Sequence, residues 1–170
     1  KTLLEMKFNS DYIYYKESIG DEKKYSLFNS VKNQNSGIVI EINDFLKWDK
    51  KWDLDNKRKK EITNSYPKSS LDYFVNKTYE SLNDDESLIN LELKNIVVNQ
   101  VIIPVISYQK QIEISNKNIH YNIHFRKGND YFYMITTMNE LNDSKNYELL
   151  QSIAKSFTET TKLMYDYKIK

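Results

Sequence analysis

Cysteine is absent from this chain of 170 residues, and glycine and proline are scarce, with three and two residues respectively. Without a thiol the chain can form no disulfide, no thiolate-ligated metal site and no cysteine nucleophile. The glycines, Gly20, Gly37 and Gly128, stand singly, so neither a phosphate-binding P-loop nor a dinucleotide fingerprint can be assembled. A Gly-x-Ser-x-Gly nucleophile motif is also missing. Composition therefore excludes several large classes of enzyme site.

Long apolar runs and an excess of one charge are missing too. The run at residues 101–106 is interrupted by Pro104 and falls far short of the ~20 apolar residues that a membrane-spanning helix needs. The 25 basic and 24 acidic residues leave a net charge of +1, which gives the whole chain no electrostatic reason to bind nucleic acid. We expect no transmembrane segment and no nucleic-acid partner.

The stretch from Asn118 to Met138 predicts a β-hairpin, because two runs of aromatic and β-branched residues flank a turn at Gly128-Asn129. With the turn centred between those two residues, three pairs share one apolar face: Phe125 with Phe132, Ile123 with Met134, and Tyr121 with Thr136. The opposite face gathers polar and aromatic side chains that are candidate ligand contacts: His120, His124, Arg126, Tyr131 and Tyr133.

Metal sites are not predicted. His120 and His124 are the only histidines, and four residues along a strand at about 3.3 Å each place them about 13 Å apart, too far to share one ion. The Asp53-x-Asp55 pair begins like a calcium loop but lacks the later glycine and glutamate at their positions. We therefore expect no metal site and no cofactor.

Residues 44–66 show neither helical nor strand periodicity throughout, which predicts an irregular excursion that includes a short helix. Trp48 and Trp52 lie there among basic residues, and together they could stack on a base, a sugar or a partner peptide. Aspartates between them largely cancel the charge. We favour the interpretation in which one tryptophan anchors a long loop to the core, and we keep both as candidate binding residues.

Two helices and several strands are marked by periodicity. One helix covers Leu71 to Leu82 with Ser69 or Ser70 as its cap, and a closing helix starts at Asp143 or Ser144, with an apolar stripe reaching Met164. Alternating patterns predict strands at residues 11–16, 25–28, 38–42 and 88–93, and an extended segment at 97–114. Helices segregated from an antiparallel sheet indicate one α+β domain over residues 1–170.

Several of these segments together resemble PsbP-like domains, the Mog1/PsbP/DcrB-like group, many of which are small lipoproteins or secreted proteins of low-GC Gram-positive bacteria. They are Ser70-Leu71-Asp72-Tyr73-Phe74, the hairpin turn with Tyr131-Phe132-Tyr133, and Ile153-x-x-Ser156-Phe157. The resemblance covers nearly the whole chain, although the 44–66 excursion is long and a Tyr-Pro-x-x-Trp opening motif is missing. It implies an α/β/α sandwich with helices on both sheet faces, no catalytic constellation, and a binding or assembly role at the cell envelope.

We therefore predict a non-enzymatic, cell-envelope or secreted module that binds a protein or a small molecule. The sequence opens on Lys1 rather than methionine, so we expect a signal peptide or lipid-anchor segment upstream of Lys1. Two alternatives stay open. One is a hydrolase or nuclease that uses a divalent ion with Asp84, Asp85 and Glu92. The other is a cytosolic immunity-type protein that occupies the site of a toxin.

Overall fold

A computed structural model describes residues 2–5, 12–19, 22–29, 35–59, 69–112, 116–128 and 131–161. Within these ranges the chain forms, in order, β1 (Thr2–Glu5), β2 (Tyr12–Ile19), β3 (Glu22–Asn29), β4 (Gly37–Asp44), α1 (Phe45–Lys59), α2 (Ser70–Asn83), β5 (Leu88–Val98), β6 (Val101–Ile112), β7 (Lys117–Lys127), β8 (Tyr131–Glu140), α3 (Ser144–Lys155) and β9 (Thr158–Thr161).

Seven of the strands form one sheet in the order β2-β3-β4-β8-β7-β6-β5, and β1 pairs with β9 separately. Every pairing is antiparallel. The β7–β8 pairing is the hairpin that the sequence predicts, and β3 pairs with β4 at the strands predicted for residues 25–28 and 38–42. With three helices packed against an antiparallel sheet, the predicted α+β class is confirmed.

Helices cover both faces of the sheet. Successive side chains of β7 and β8 point to opposite faces, so their contacts show which helix lies on which face. On one face, Phe74 of α2 packs against Phe125 and Phe132 at ring distances of 5.7 and 5.4 Å. On the other face, Leu150 of α3 joins Ile135 in a separate buried cluster. Burying one such side chain stabilises the fold by ~1.5–3 kcal/mol. The α/β/α sandwich implied by the resemblance is therefore the observed architecture.

The predicted helix starts are confirmed. The Ser69 side chain accepts a hydrogen bond from the backbone N–H of Asp72 at 3.1 Å, and Asp143 caps α3 by accepting from the N–H of Asn146, also at 3.1 Å. These bonds satisfy N–H groups that lack a partner within the helix.

The predicted length of the closing helix is wrong, because α3 ends at Lys155 rather than continuing towards Met164. The N–H of Ser156 donates to the carbonyls of Ser152 and Ile153 at 3.1 Å, and Phe157 then turns into the core, 5.0 Å from the Tyr133 ring. Residues 158–161 are rich in threonine, whose β-branched side chain favours strands, and they form β9. Met164 lies outside the described residues.

The predicted register of the β7–β8 hairpin is also wrong, by two residues. Phe125 pairs with Met134 instead of Phe132, because the hairpin is centred one residue later than predicted: Lys127 pairs with Phe132, and Gly128 N donates to Tyr131 O at 2.8 Å. A shift of two residues keeps each side chain on its own face, since the side-chain period of a strand is two. The predicted division into an apolar face and a mixed face is therefore retained.

A further hairpin interrupts the segment that was predicted to be continuous from 97 to 114. Strands β5 and β6 meet at Asn99 and Gln100, whose φ angles of 49° and 66° suit the type I′ turn that joins two strands tightly. Asn99 adopts the left-handed backbone conformation that glycine usually adopts, in a chain with only three glycines. Pro104 pairs with Asn95 of β5 and lies just beyond the last β6–β7 pair, so β6 has a described partner strand on one side only at this residue, as suits a proline.

Most of the predicted irregular excursion is helical, which corrects that prediction for residues 45–59. Asp44 starts α1 by accepting a hydrogen bond from the N–H of Lys47 at 3.3 Å. Residues 60–66 lie outside the described part of the chain. Among the described helices, none combines the length and apolar character required to cross a membrane.

Candidate functional site

A cavity of about 480 Å³ lies beside α3, over the part of the sheet formed by β5, β6 and β7. It exists because α3 contacts chiefly β8 and β4 and leaves the neighbouring strands partly uncovered. We call it the α3 cavity. Its lining comes from the strands, through Lys94, Ile96, Val105, Asn122 and His124, and from the helix, through Tyr147, Glu148, Gln151, Ser152 and Lys155.

His124 forms the deepest polar part of the α3 cavity and is only 1% exposed. Its Nε2 lies 2.8 Å from Gln151 Oε1, and Gln151 Nε2 donates to Thr137 Oγ1 at 2.7 Å. The amide oxygen of Gln151 faces the imidazole and can only accept a hydrogen bond. His124 Nε2 therefore carries the proton, which leaves Nδ1 as a hydrogen-bond acceptor.

The same surroundings keep His124 uncharged. Burial lowers the pKa of His124 from 6.5 to about 4, the hydrogen bond to Gln151 opposes this shift, and the positive charges of Arg126, Lys155 and Lys94 add to it. At neutral pH the imidazole is a neutral group whose two nitrogens have different roles.

Asn122 is the neighbour of His124 on the same face of β7 and is 2% exposed. Ser107 donates to Asn122 Oδ1 at 2.8 Å, so this oxygen is satisfied. Asn122 Nδ2 and His124 Nδ1 are both buried and have no hydrogen-bond partner among the described residues. An unsatisfied buried polar group costs about 1–3 kcal/mol. Two residues that line the cavity thus each have one buried nitrogen that is unpaired among the described residues.

Among the other residues predicted on this face, His120 contacts Tyr147, which lines the α3 cavity. Its ring stacks on Tyr147 of α3, with centroids 5.2 Å apart and planes 6° apart. Burial and then the charge of Lys94 lower the pKa of His120. Since Tyr147 lines the cavity, His120 supports one wall from behind.

Arg126, Tyr131 and Tyr133 lie towards the C-terminal end of α3, outside the lining of the cavity. Arg126 Nη2 donates to the carbonyl of Lys155 at 3.2 Å, where the negative end of the helix dipole favours a cation. Tyr131 and Tyr133 pack with the apolar cluster under α3. These three predicted contacts hold the helix on the sheet.

The two tryptophans lie on the opposite side of the sheet. Trp48 packs on Phe74 at a ring distance of 4.5 Å, and Lys51 Nζ lies 4.6 Å from the centroid of the Trp48 ring. This contact agrees with the interpretation in which one tryptophan anchors the segment. Trp48 also lines a second cavity of about 540 Å³, while Trp52 lies half-buried on α1.

Of the carboxylates considered for a divalent ion, Asp85 and Glu92 form ion pairs, with Lys110 and Lys94 respectively. Asp84 is the C-terminal cap of α2. Asp85 accepts from Ser87 and from Lys110 Nζ at 3.2 Å, and these hydrogen bonds, those of Ser87 first, lower its pKa. Glu92 lies on β5. No group of three or more histidine, aspartate or glutamate side chains able to hold a metal ion occurs in the ranges that the structure describes.

Sequence reasoning missed Asn122 and Gln151, which carry the hydrogen bonding of the cavity. The available signal was polarity at inward positions. Asn122 lies between the two histidines in the strand alternation, and Gln151 comes one helical turn after Tyr147 on the stripe that faces the sheet. An amide in such a position needs a partner, so both residues mark a buried polar region.

No protein-family model and no curated protein matches this chain. Among solved structures, a protein of Bacteroides thetaiotaomicron VPI-5482, determined at 1.50 Å, matches 94% of the chain with a TM-score of 0.52 and 8% identity, and the chain spans 46% of that protein. LpqN of Mycobacterium tuberculosis, described as involved in cell envelope biogenesis, matches 95% of the chain and 85% of its own length, with a TM-score of 0.49 and 7% identity. At 8% identity, the first similarity shows a shared fold alone, and the family to which the sequence motifs point stays a proposal.

Proposed function

We propose that this chain is a non-enzymatic, PsbP-like binding module of the cell envelope or the extracellular space, and that the α3 cavity holds a small-molecule ligand. One observation carries the proposal. Two side chains that are at least 98% buried, Asn122 and His124, line this cavity, and each has one nitrogen without a hydrogen-bond partner among the described residues. Buried polar groups are nearly always paired, so a cavity with two unpaired ones fits a ligand that supplies the missing partners.

The geometry around His124 favours binding over catalysis. A catalytic histidine is usually oriented by a carboxylate and has a pKa near the working pH. Here the orienting group is the neutral amide of Gln151, at 2.8 Å, and burial holds the pKa of His124 at about 4. Such an imidazole is a weak base at neutral pH, and this supports a recognition role.

The location rests on the resemblance of the sequence to PsbP-like domains. Its motif Ile153-x-x-Ser156-Phe157 ends α3 and packs Phe157 on Tyr133, a structural role that fits the domain type. Fractionation of native cells, with mass spectrometry of the N-terminus, tests the proposal. We expect the protein in the envelope or the medium. Recovery from the cytosol with an initiator methionine before Lys1 would favour the immunity-type alternative.

Ligand binding is tested by NMR with a library of small polar fragments. Two surface variants of α3 provide the comparison. Ser152→Trp places a bulky ring at the mouth of the α3 cavity, whereas Leu149→Trp adds the same ring at an exposed helix position, 41% accessible, that does not line the cavity. We expect fragments to shift the side-chain signals of Asn122 and His124 in the wild type and in Leu149→Trp, and not in Ser152→Trp.

The proposal fails if no fragment perturbs these two side chains. It also fails if the fragments that bind do so equally in Ser152→Trp, or if they shift only the signals around Trp48 on the opposite face of the sheet. Because both substituted positions lie on the solvent side of α3, the comparison does not depend on altering the core.

A further inference from the structure

Exposed apolar side chains concentrate on the β5–β6 hairpin. Of the eight large hydrophobic residues that are exposed in the described part of the chain, five belong to this hairpin: Ile89, Leu93, Val97, Val101 and Ile102. Val97 and Ile102 are 71% and 65% exposed and pair directly with each other across the two strands. Scattered apolar residues are common on protein surfaces, whereas a group of this kind marks an interaction surface.

The same hairpin forms one edge of the seven-stranded sheet. Strand β5 is last in the strand order and, among the described residues, pairs with β6 alone. Proteins usually protect such an edge with proline, a bulge or a very short strand. β5 has 11 residues and no proline, and its register shifts only between Ile89 and Glu92. Residues 92–98 therefore form a regular edge to which another strand can be added.

The turn of the hairpin sets the direction of the backbone groups of β5. Val98 and Val101 flank the two-residue turn at 99–100. A pair that flanks such a turn exchanges both of its backbone hydrogen bonds, and bonded and non-bonded pairs then alternate along the ladder. The register is continuous from this pair to that of Glu92 with Ser107. Alternate residues of β5 therefore bond to β6, and those between them face outward.

Leu93, Asn95 and Val97 are the outward-facing residues. Their pairs with β6 are the non-bonded ones, so their N–H and C=O groups point away from that strand. Pro104 provides an independent check, because it pairs with Asn95 and has no N–H to donate. The outer edge of β5 thus carries three backbone donors and three acceptors.

A second copy of β5 is complementary to this edge. In an antiparallel pair with a twofold axis at Asn95, Asn95 of one copy lies opposite Asn95 of the other. Leu93 of each copy then lies opposite Val97 of the other, so all three outward residues exchange backbone hydrogen bonds. Any other register pairs fewer of them within residues 92–98.

The apolar side chains agree with this register. Leu93 pairs with Ile106, which is buried in the cluster under α2, and Val97 shares that face because the side-chain period is two. Across the two copies, Ile102 and Val97 of one would continue into Leu93 and Ile106 of the other. The result is a row of four apolar side chains over the joint sheet.

The charged side chains of the edge are compatible with the same register. Glu92 and Lys94 lie on the other face and form an ion pair at 3.6 Å within each copy. Across the axis Lys94 lies opposite Ile96, and Glu92 lies opposite Val98, so like charges are not directly opposed. The two Lys94 side chains are diagonal neighbours, and the ion pair with Glu92 in each copy offsets their repulsion.

We propose that this chain forms a twofold-symmetric dimer through antiparallel pairing of β5 with β5 of a second copy, which joins two seven-stranded sheets into one. The contact closes on itself, because each copy uses its β5 edge once and leaves none for a third copy. The inference goes beyond the proposed ligand-binding function and does not depend on what the α3 cavity holds.

Cysteine cross-linking tests the register directly, because the chain contains no cysteine. In Asn95→Cys the two Cα atoms would lie about 5.5 Å apart, a distance that a disulfide spans. Glu92→Cys is the matched control, exposed on the same strand but about 20 Å from its copy. Under mild oxidation we expect a covalent dimer from Asn95→Cys and only background from Glu92→Cys. Leu93→Cys and Val97→Cys should cross-link to each other when mixed, and neither to itself.

Sedimentation over a concentration series measures the association without cross-links. We expect a reversible monomer–dimer equilibrium for the wild type. Val97→Lys should weaken it at least tenfold, because the ammonium would replace an apolar contact with Leu93 of the other copy. Leu54→Lys changes a residue of α1 that is 58% exposed, and it should leave the equilibrium unchanged. Circular dichroism checks that both variants fold.

The proposal is overturned if the wild type stays monomeric and Asn95→Cys cross-links no more than Glu92→Cys. Dimers that Val97→Lys does not weaken would place the contact elsewhere and also overturn it. Oligomers larger than a dimer would do the same, since they require an open contact such as β5 with the opposite edge strand β2. Binding of a monomeric chain to phosphatidylcholine vesicles, lost in Val97→Lys, would assign the hairpin to a lipid surface instead.

Discussion

Acidification should destabilise the fold through His124. In the folded chain burial sets the pKa of this residue at about 4, below the 6.5 of a solvated imidazole. Between these two values the unfolded chain binds a proton that the folded chain excludes. The stabilisation is therefore complete above pH 6.5 and is lost progressively as the pH falls to about 4. At about 1.4 kcal/mol per tenfold change in proton affinity, the loss is about 3 kcal/mol.

Urea unfolding at a series of pH values, followed by tryptophan fluorescence, measures this contribution. The matched control is His124→Gln, whose amide can still donate to Gln151 but cannot gain a proton. We expect the free energy of unfolding of the wild type, minus that of the variant, to fall by about 3 kcal/mol between pH 6.5 and pH 4. The carboxylates of the chain titrate in both proteins, so their contribution cancels in the difference.

The charged groups near the imidazole do not alter the expected difference between the two proteins. Lys94, Arg126 and Lys155, whose charges lower the pKa of His124, and the carboxylate of Glu148 are present in both proteins. Parallel stability curves for the wild type and His124→Gln would refute the reasoning, because they would mean that the folded chain accepts the proton as readily as the unfolded one.

Three further changes test the packing. Asn139→Ala removes an amide, 3% exposed, that donates to two backbone carbonyls at 2.7 and 2.8 Å next to the start of α3; we expect a loss of about 2 kcal/mol in urea unfolding, and a neutral result would contradict the buried network. Trp48→Ala should cost about 2 kcal/mol, because its half-buried ring packs 4.5 Å from Phe74. Gln100→Gly should stabilise the fold by about 1 kcal/mol and so raise the melting temperature, because glycine adopts a φ of 66° without steric strain. A lower melting temperature would argue against the turn.

Local chemistry made much of this fold predictable. The caps Ser69 and Asp143 act within one helical turn, so the residues that create them are adjacent in sequence. The two faces of β7 follow from alternation alone, and they remain correct even though the register with β8 is shifted by two residues. Features fixed by neighbours along the chain were therefore accessible from the sequence.

Features decided by distant contacts were not accessible. The stripe of α3 continues beyond Lys155, yet the helix ends there because Phe157 packs on Tyr133 and the following threonines pair with β1. Helix α1 is rich in charge, and its main apolar signal was the spacing of Trp48 and Trp52, four residues apart and hence on one side of a helix. Tertiary packing overrode the local preference in both segments.

The α3 cavity shows the same limit in the candidate site. His124 was recognised as a candidate, but its role depends on Gln151, which lies 27 residues later in the sequence and reaches it only once α3 has docked. Ser107 and Thr137 satisfy one side of this buried polar group, through Asn122 and Gln151 respectively. Apolar side chains at these positions would be buried at a lower free-energy cost. The retained amide and imidazole each leave one buried nitrogen without a hydrogen-bond partner among the described residues, and an unsatisfied buried group of this kind lowers stability by about 1–3 kcal/mol.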